Sequence, residues 1–322
     1  MEYYLAPSAQ KITHEMSIPE PFRKKLLSAN GGLMKELQAA VQPFQFNIAP
    51  TGQGIQVTGD KTGVLIAERI IEKLAGAGDG EQPQSDIILS VIDSALKRDL
   101  VLRLNGISRP VAPMSLNQLA FIQTLLSAKE QLIIGAGPTG TGKTHMAIAV
   151  AINQLSEGRV KRVIITKPHV VLEGEVVTPT VRQDLEYDSQ FEFLEDIFRD
   201  LIGYSRFLEL KEQRKLELLP LGHFRGRTFN DSFIILDEAQ NMTVRKMRMA
   251  VTSIGRASRM VITGDPIHVD LRDEEPSGLP HLLDLIQGTD LAKVHHFEHR
   301  QVIRNSLVAK LEKLYADQLD AV

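Results

Sequence analysis

Residues 137–144 read GPTGTGKT, and no other stretch constrains the fold as strongly. An apolar run, QLIIGA, leads into it, and a helix-forming run, HMAIAVAINQL, follows. A glycine-rich turn between a buried strand and a helix, ending in Lys-Thr, turns backbone N–H groups inward around phosphate. Gly137, Gly140 and Gly142 allow that turn without Cβ clashes. The positive end of the following helix faces the same anion. Pro138, Thr139, Thr141 and His145 complete the set of nucleotide-contact candidates. Lys143 is placed to reach β- and γ-phosphate oxygens, and Thr144 to offer its hydroxyl to Mg²⁺. The expected ligands are therefore ATP and Mg²⁺. Lys143 is expected in a solvent-facing loop, where its replacement loses little packing.

Two later runs fit the same chemistry. Residues 233–241 read FIILDEAQN. Four apolar residues ending in Asp-Glu place Asp237 at the carboxyl end of a strand, near the magnesium, where ligands gather in an open parallel sheet. Glu238, one residue on, could orient or deprotonate the attacking water. RMVITGDP (259–266) is a third strand whose polar tip, Thr263, Gly264 and Asp265, stands where a γ-phosphate sensor is expected. Continuous apolar strands are expected at Leu132–Gly135, Arg162–Thr166, Phe233–Leu236, Met260–Thr263 and Lys293–Phe297. Such runs suit a five-stranded parallel sheet covered by helices on both faces, an α/β fold.

The chain has 322 residues, which suits a main domain and a smaller one. A small α+β module, 1–76, is expected to hold helices near 20–29 and 32–41, strands Phe44–Ile48 and Ile55–Thr58, and a helix Thr62–Ala75. Residues 77–112 read as a Gly, Pro and acid-rich linker, GAGDGEQPQSD, followed by a bridging helix Ile87–Arg98. The main domain then spans 113–322. With no cysteine, disulfides and Cys-based zinc sites are excluded. No apolar stretch approaches a membrane span and no secretory leader is visible, so a cytoplasmic protein is expected. Net charge is −3, so any nucleic-acid partner must meet a local basic patch. One cluster offers itself: Arg206, Lys211, Arg214, Lys215, Arg225 and Arg227, with Tyr204, Phe207 and Phe224 interleaved to stack bases. The alternative is a helical surface paired to Glu209, Glu212 and Glu217.

GAGPTGTGKTHMA, HFRGRTFNDSFIILDEAQNMT and MVITGDPIHVDL followed by SGL together resemble the PhoH-like family of P-loop ATPases, related to superfamily 1 helicases. The resemblance covers about 115–318 and weakly the N-terminal module. It implies a RecA-like P-loop NTPase linked to RNA metabolism, often assembled into rings. By the same resemblance Gln118 reads the adenine edge, and Lys167 with Pro168 touches nucleic-acid backbone. Gln240 is the Gln of DEAQ, grouped with Asp265 as a sensor, and Arg304 is the basic residue of a D-V-V-R-type stretch. Arg225 and Arg227, in the family-like FRGRT, are the stronger RNA candidates. Three positions depart from the pattern: His268 and Gln301 stand where Gln and Asp are usual, and VVTPT (176–180) replaces Gly-Phe-Leu-Pro-Gly. The N-terminal module resembles a minimal KH core, although SANGGLMKE does not match the G-x-x-G clamp; a packing or oligomerisation module is equally open.

After the helix Asn305–Leu319 no room is expected for a second nucleotide-closing lobe. An arginine from a neighbouring protomer would then complete the site, with Arg304 first and Arg256 and Arg259 next. A homo-oligomer, such as a hexameric ring, is expected. The leading function is an RNA-linked ATPase, a translocase or helicase. The alternative is a nucleotide-switched scaffold that positions a separate ribonuclease.

Overall fold

The computed structural model describes residues 11–27, 46–52, 54–76, 102–127, 129–168, 183–271 and 275–298. The chain divides into two compact units, Met1–Leu102 with Ala112–Gln123, and Arg103–Val111 with Thr124–Val322. Residues 113–123, expected in the main domain, thus group with the first unit, and 103–111, expected in the linker, group with the second.

The first unit holds β1 (Lys11–Ser17), α1 (Glu20–Leu26), β2 (Phe46–Pro50), β3 (Gly54–Asp60), α2 (Lys61–Gly76) and the start of α3 (Leu116–Leu126). Its strands form an antiparallel sheet in the order β1-β3-β2. Met16 pairs with Ile55 and Ile48 with Val57. Ile55, Val57, Val64, Ile70, Ile71 and Leu26 are buried together, with Leu116 and Leu119 of α3 in the same cluster. β1 is a strand that sequence reading missed. Only Ile12 and Met16 of KITHEMS are apolar and part-buried, and seven residues of pairing to β3 supply the rest. The helix expected near 32–41, the linker after Gly76 and the helix expected at 87–98 lie outside the described residues.

The second unit alternates strand and helix: β4 (Leu132–Ala136), α4 (Lys143–Ser156), β5 (Arg162–Thr166), α5 (Gln183–Ile202), α6 (Tyr204–Glu212), β6 (Leu216–Leu218), β7 (Ser232–Leu236), α7 (Val244–Val251), β8 (Arg259–Gly264), α8 (Gly278–Ile286) and β9 (Lys293–His296). All pairings are parallel and the order is β6-β5-β7-β8-β4-β9. The sheet therefore has six strands, correcting the five expected. β6 escaped notice because three residues, LEL, carry no readable period; pairing to β5 makes them a strand.

Every residue of β7 is buried, which explains its unbroken apolar sequence. Ile164, Ile234, Leu236 and Ile262 pack on one face against Met247 and Ala250 of α7 and Leu279 and Leu282 of α8. α4 packs against β5, β7 and β8. Each fully buried Ile or Phe contributes about 1.5–3 kcal/mol, so the sheet is a rigid support for the loops at its carboxyl edge. β8 lies between β4 and β7, and so the ends of those three strands meet. Among the described residues no helix is long and apolar enough to cross a membrane.

Candidate nucleotide-binding site

The turn after β4 is strained in a way that only glycine relieves. Gly137 has φ +141°, and a Cβ there would stand 2.3 Å from the Phe297 carbonyl oxygen. Its N–H donates to Gly264 O at 3.0 Å, tying the loop to β8, and Phe297 N–H donates to Ala136 O at 2.7 Å. Gly140 and Gly142 also have positive φ. Gly142 immediately precedes α4, so the helix begins at Lys143 with its free N–H groups toward the loop.

Lys143 is 6% exposed, which corrects the solvent-facing placement. Its Nζ donates to Gly137 O at 2.7 Å, Pro138 O at 2.6 Å and Thr141 Oγ1 at 2.9 Å. Thr141 in turn donates to Pro138 O. The ammonium also lies 5.8 Å from the centre of the Phe297 ring. Burial pulls the Lys143 pKa down to about 8, while Asp265, Glu238 and Asp237 pull the other way. The charges of those three carboxylates thus act on one buried ammonium. The next-but-one residue, His145, is part-buried, and burial lowers its pKa against the opposing field of Asp200.

Thr144 and Asp237, 93 residues apart, meet: Thr144 Oγ1 donates to Asp237 Oδ1 at 2.6 Å. Thr263 Oγ1 donates to the same oxygen at 2.7 Å. Thr263 thus belongs to the site more directly than sequence reading assigned it; its strand-end place was visible, its contact with Asp237 was not. A hydroxyl and a single carboxylate at this spacing suit Mg²⁺, which takes one or two protein oxygens and fills its shell with phosphate and water. No cluster of three or more acidic or His side chains competes as a metal cage among the described residues.

Glu238, two residues past the end of β7, adopts left-handed backbone, φ 50° and ψ 42°. That conformation is uncommon for a non-glycine residue and costs about 1–3 kcal/mol. Gln240 Nε2 donates to Glu238 Oε2 at 2.7 Å, and Gln240 Oε1 accepts from Asp265 N at 3.0 Å. One amide therefore links the carboxylate to the β8 tip. Burial raises the Glu238 pKa, Asp237 adds to the rise, and Gln240, Lys167 and Lys143 oppose it. Lys167 accordingly sits close enough for its charge to act on Glu238. Asp265 is itself held, accepting Ile267 N–H at Oδ1, with His268 Nδ1 2.7 Å from Oδ2. Asn241 and Asp270 make a reciprocal pair that binds the two loops together. His268, noted only as a departure in sequence, is thus a partner of the β8 tip.

Other expectations are redistributed. Gln118 lies in the first unit, 2% exposed, and its Oε1 accepts Met114 N–H while its own N–H donates to Ser115 Oγ. It closes the start of α3 in the manner of a capping box. Arg259 is buried, with its guanidinium donating to Leu125 O and Ser127 O. It ties down the end of α3 and has no reach to a neighbour, so it is not a finger. Arg256 is exposed at the opposite end of β8 from the site, and Arg304 lies outside the described residues. Phe207 and Phe224 are 1% exposed and cannot stack bases, because their rings fill the core beneath α6 and α7. Arg206 pairs with Glu209, as the helical-surface alternative expects, whereas Lys211 pairs with Glu195 of α5 and Glu217 with Arg162. Arg225 and Arg227 are exposed, with Arg227 4.9 Å above the Phe229 ring.

The chain matches the PhoH-like protein family over residues 110–316. It is 30% identical over 304 residues to a PhoH-like protein of Bacillus subtilis, spanning 91% of this chain and 94% of that one. A PhoH-like protein of Mycobacterium tuberculosis is 29% identical over 295 residues, 89% of this chain and 83% of its own. Protein PhoH of Escherichia coli is 28% identical over 211 residues, 64% and 58% respectively. A glycine cradle, a Thr–Asp pair and a part-buried glutamate at one sheet edge, in a chain so matched, place this protein in the PhoH-like family of P-loop ATPases.

Proposed function

We propose that the chain hydrolyses ATP with Mg²⁺ at this site and that the hydrolysis serves work on RNA. The observation that carries the reading is the meeting of Thr144, Asp237 and Thr263 at one carboxylate oxygen beside the glycine turn. Lys143 exchanges its bonds to the loop carbonyls for bonds to β- and γ-phosphate oxygens. Thr144 and Asp237 hold the magnesium, whose charge neutralises the phosphates when bound. Glu238 accepts a proton from the water that attacks the γ-phosphorus, leaving ADP and phosphate. A carboxylate whose pKa is raised by burial is a better base near neutral pH than a solvated one. Gln240 holds that carboxylate and relays the state of the Asp265 loop to it.

The RNA link rests on family membership and on exposed Arg225 and Arg227. The β-α-…-β-β-α order of the first unit, with its β1-β3-β2 sheet, supports the KH-like reading of that module. An oligomer, most simply a ring, with Arg304 of each subunit reaching the next site, would supply a further positive charge at the γ-phosphate. ATP turnover measured with and without single-stranded and structured RNA tests the reading. Turnover that rises with RNA supports it. Turnover indifferent to RNA, with nucleotide-dependent binding of a ribonuclease instead, replaces it with a switched scaffold.

A further inference from the structure

We propose that the outer face of α7, together with the Arg225–Arg227 turn, forms a binding surface for the phosphodiester backbone of single-stranded RNA, with Arg245 and Arg248 at its centre. The proposal rests on the RNA reading above and gives it a location. Leu221 and Phe224 pack in the same core as Met247 and Ala250 of α7. Arg225 and Arg227, which follow that turn, therefore lie alongside the helix. On α7 the apolar residues face inward, and Arg245, Lys246 and Arg248 are exposed. Arg245 and Arg248, three residues apart, share one stripe.

None of these five cations makes an ion pair among the described residues. On the neighbouring helices α5 and α6, Arg199, Arg206 and Lys211 are each bridged to glutamates or aspartates. Between 219 and 256 the only acidic residues are Asp231, Asp237 and Glu238. Asp231 is taken by Lys161, and the other two belong to the nucleotide site. On α8, which packs against α7, exposed Asp284 pairs with none of them. Like charges with no ion-pair partner among the described residues repel, and an external anion relieves that repulsion. Four of the five are arginines, whose planar fork matches phosphate oxygens in pairs. Arg227 is further oriented by its stacking on Phe229.

The placement also couples RNA to catalysis. α7 begins directly after the turn that carries Gln240 and Asn241, and Thr243 caps it by accepting Lys246 N–H. RNA on Arg245 and Arg248 would load the element next to the amide that holds Glu238.

The test uses the full chain, a fluorescein-labelled oligouridine RNA, anisotropy over a salt titration, and Arg245→Gln/Arg248→Gln beside Lys293→Gln on the far edge strand. On single strands each phosphate contact contributes about 0.7 to the salt slope, or about fivefold in affinity at 0.1 M salt. The double variant is therefore expected to bind about 25-fold more weakly with a slope reduced by about 1.4, to keep its basal ATP turnover, and to lose stimulation by RNA. Lys293→Gln should match the wild type. RNA binding by the wild type that the double variant retains, or that Lys293→Gln loses equally, overturns this interface and leaves the RNA reading standing. A wild type that hydrolyses ATP but binds no RNA overturns both. Polyglutamate that binds as tightly as RNA, and only to the wild type, reassigns the surface to an acidic protein.

Discussion

Lys143→Met is the perturbation whose magnitude follows most directly from the structure. Burial holds the Lys143 pKa near 8, against an ordinary 10.5. The folded-state value is the lower one, so the unfolded chain binds this proton more tightly. Wild-type stability accordingly rises with pH through the window from about 8 to 10.5, and the penalty is complete below about 8. Integrated from pH 7 to pH 10, this linkage amounts to about 2.5 kcal/mol. Methionine keeps the length and removes the charge, so the variant lacks the linkage. Its stability relative to wild type should be highest at pH 7 and should fall by that amount by pH 10. Other lysines and tyrosines titrate in both proteins and cancel in the difference. The chain has no tryptophan, so urea unfolding in EDTA is best followed by far-ultraviolet circular dichroism. A difference that stays flat with pH would mean that the ammonium is not enclosed, and the account of the loop would fall. In the same unfolding assay with Mg²⁺ in place of EDTA, ATP at 100 times its Kd should stabilise the wild type by about 2.7 kcal/mol and the variant not at all.

Glu238→Gln should bind ATP and hydrolyse it at least about tenfold more slowly, whereas Asp237→Asn should lose the magnesium-dependent part of binding; identical behaviour in a magnesium titration would show the roles misassigned. Gly137→Ala should cost about 1–3 kcal/mol of stability from backbone strain, since its Cβ meets the Phe297 carbonyl, and should weaken nucleotide binding; a wild-type melting curve would refute the close packing. Arg304→Ala subunits should be inactive alone and regain turnover when mixed with Glu238→Gln subunits, because each keeps its base and borrows an arginine; no recovery with proven subunit exchange argues against a finger in trans.

The glycine turn, the two acidic strand ends and their order were legible because each carries a local signature: Gly spacing, an apolar run, a polar tip. Contacts made across the sheet were not. Nothing in the sequence around Thr263 says that its hydroxyl shares an oxygen with Thr144, since strand order β7-β8-β4 creates that meeting. β1 and β6 were missed for the same reason, as pairing and not local pattern makes them strands. Arg259 looked like a free arginine and is a buried brace, because its partners, Leu125 and Ser127, lie more than 130 residues away. The FRGRT aromatic was likewise read as a stacking platform, yet Phe224 is claimed by the core.

The most direct test of the central claim is steady-state phosphate release from ATP by the full chain, in Mg²⁺ and in EDTA, with oligouridine RNA present. The arrangement of Lys143, Thr144, Asp237 and Glu238 predicts release that requires magnesium and disappears in EDTA. Release that is absent in magnesium, from protein that is folded and oligomeric, or that is unchanged by EDTA, would contradict it.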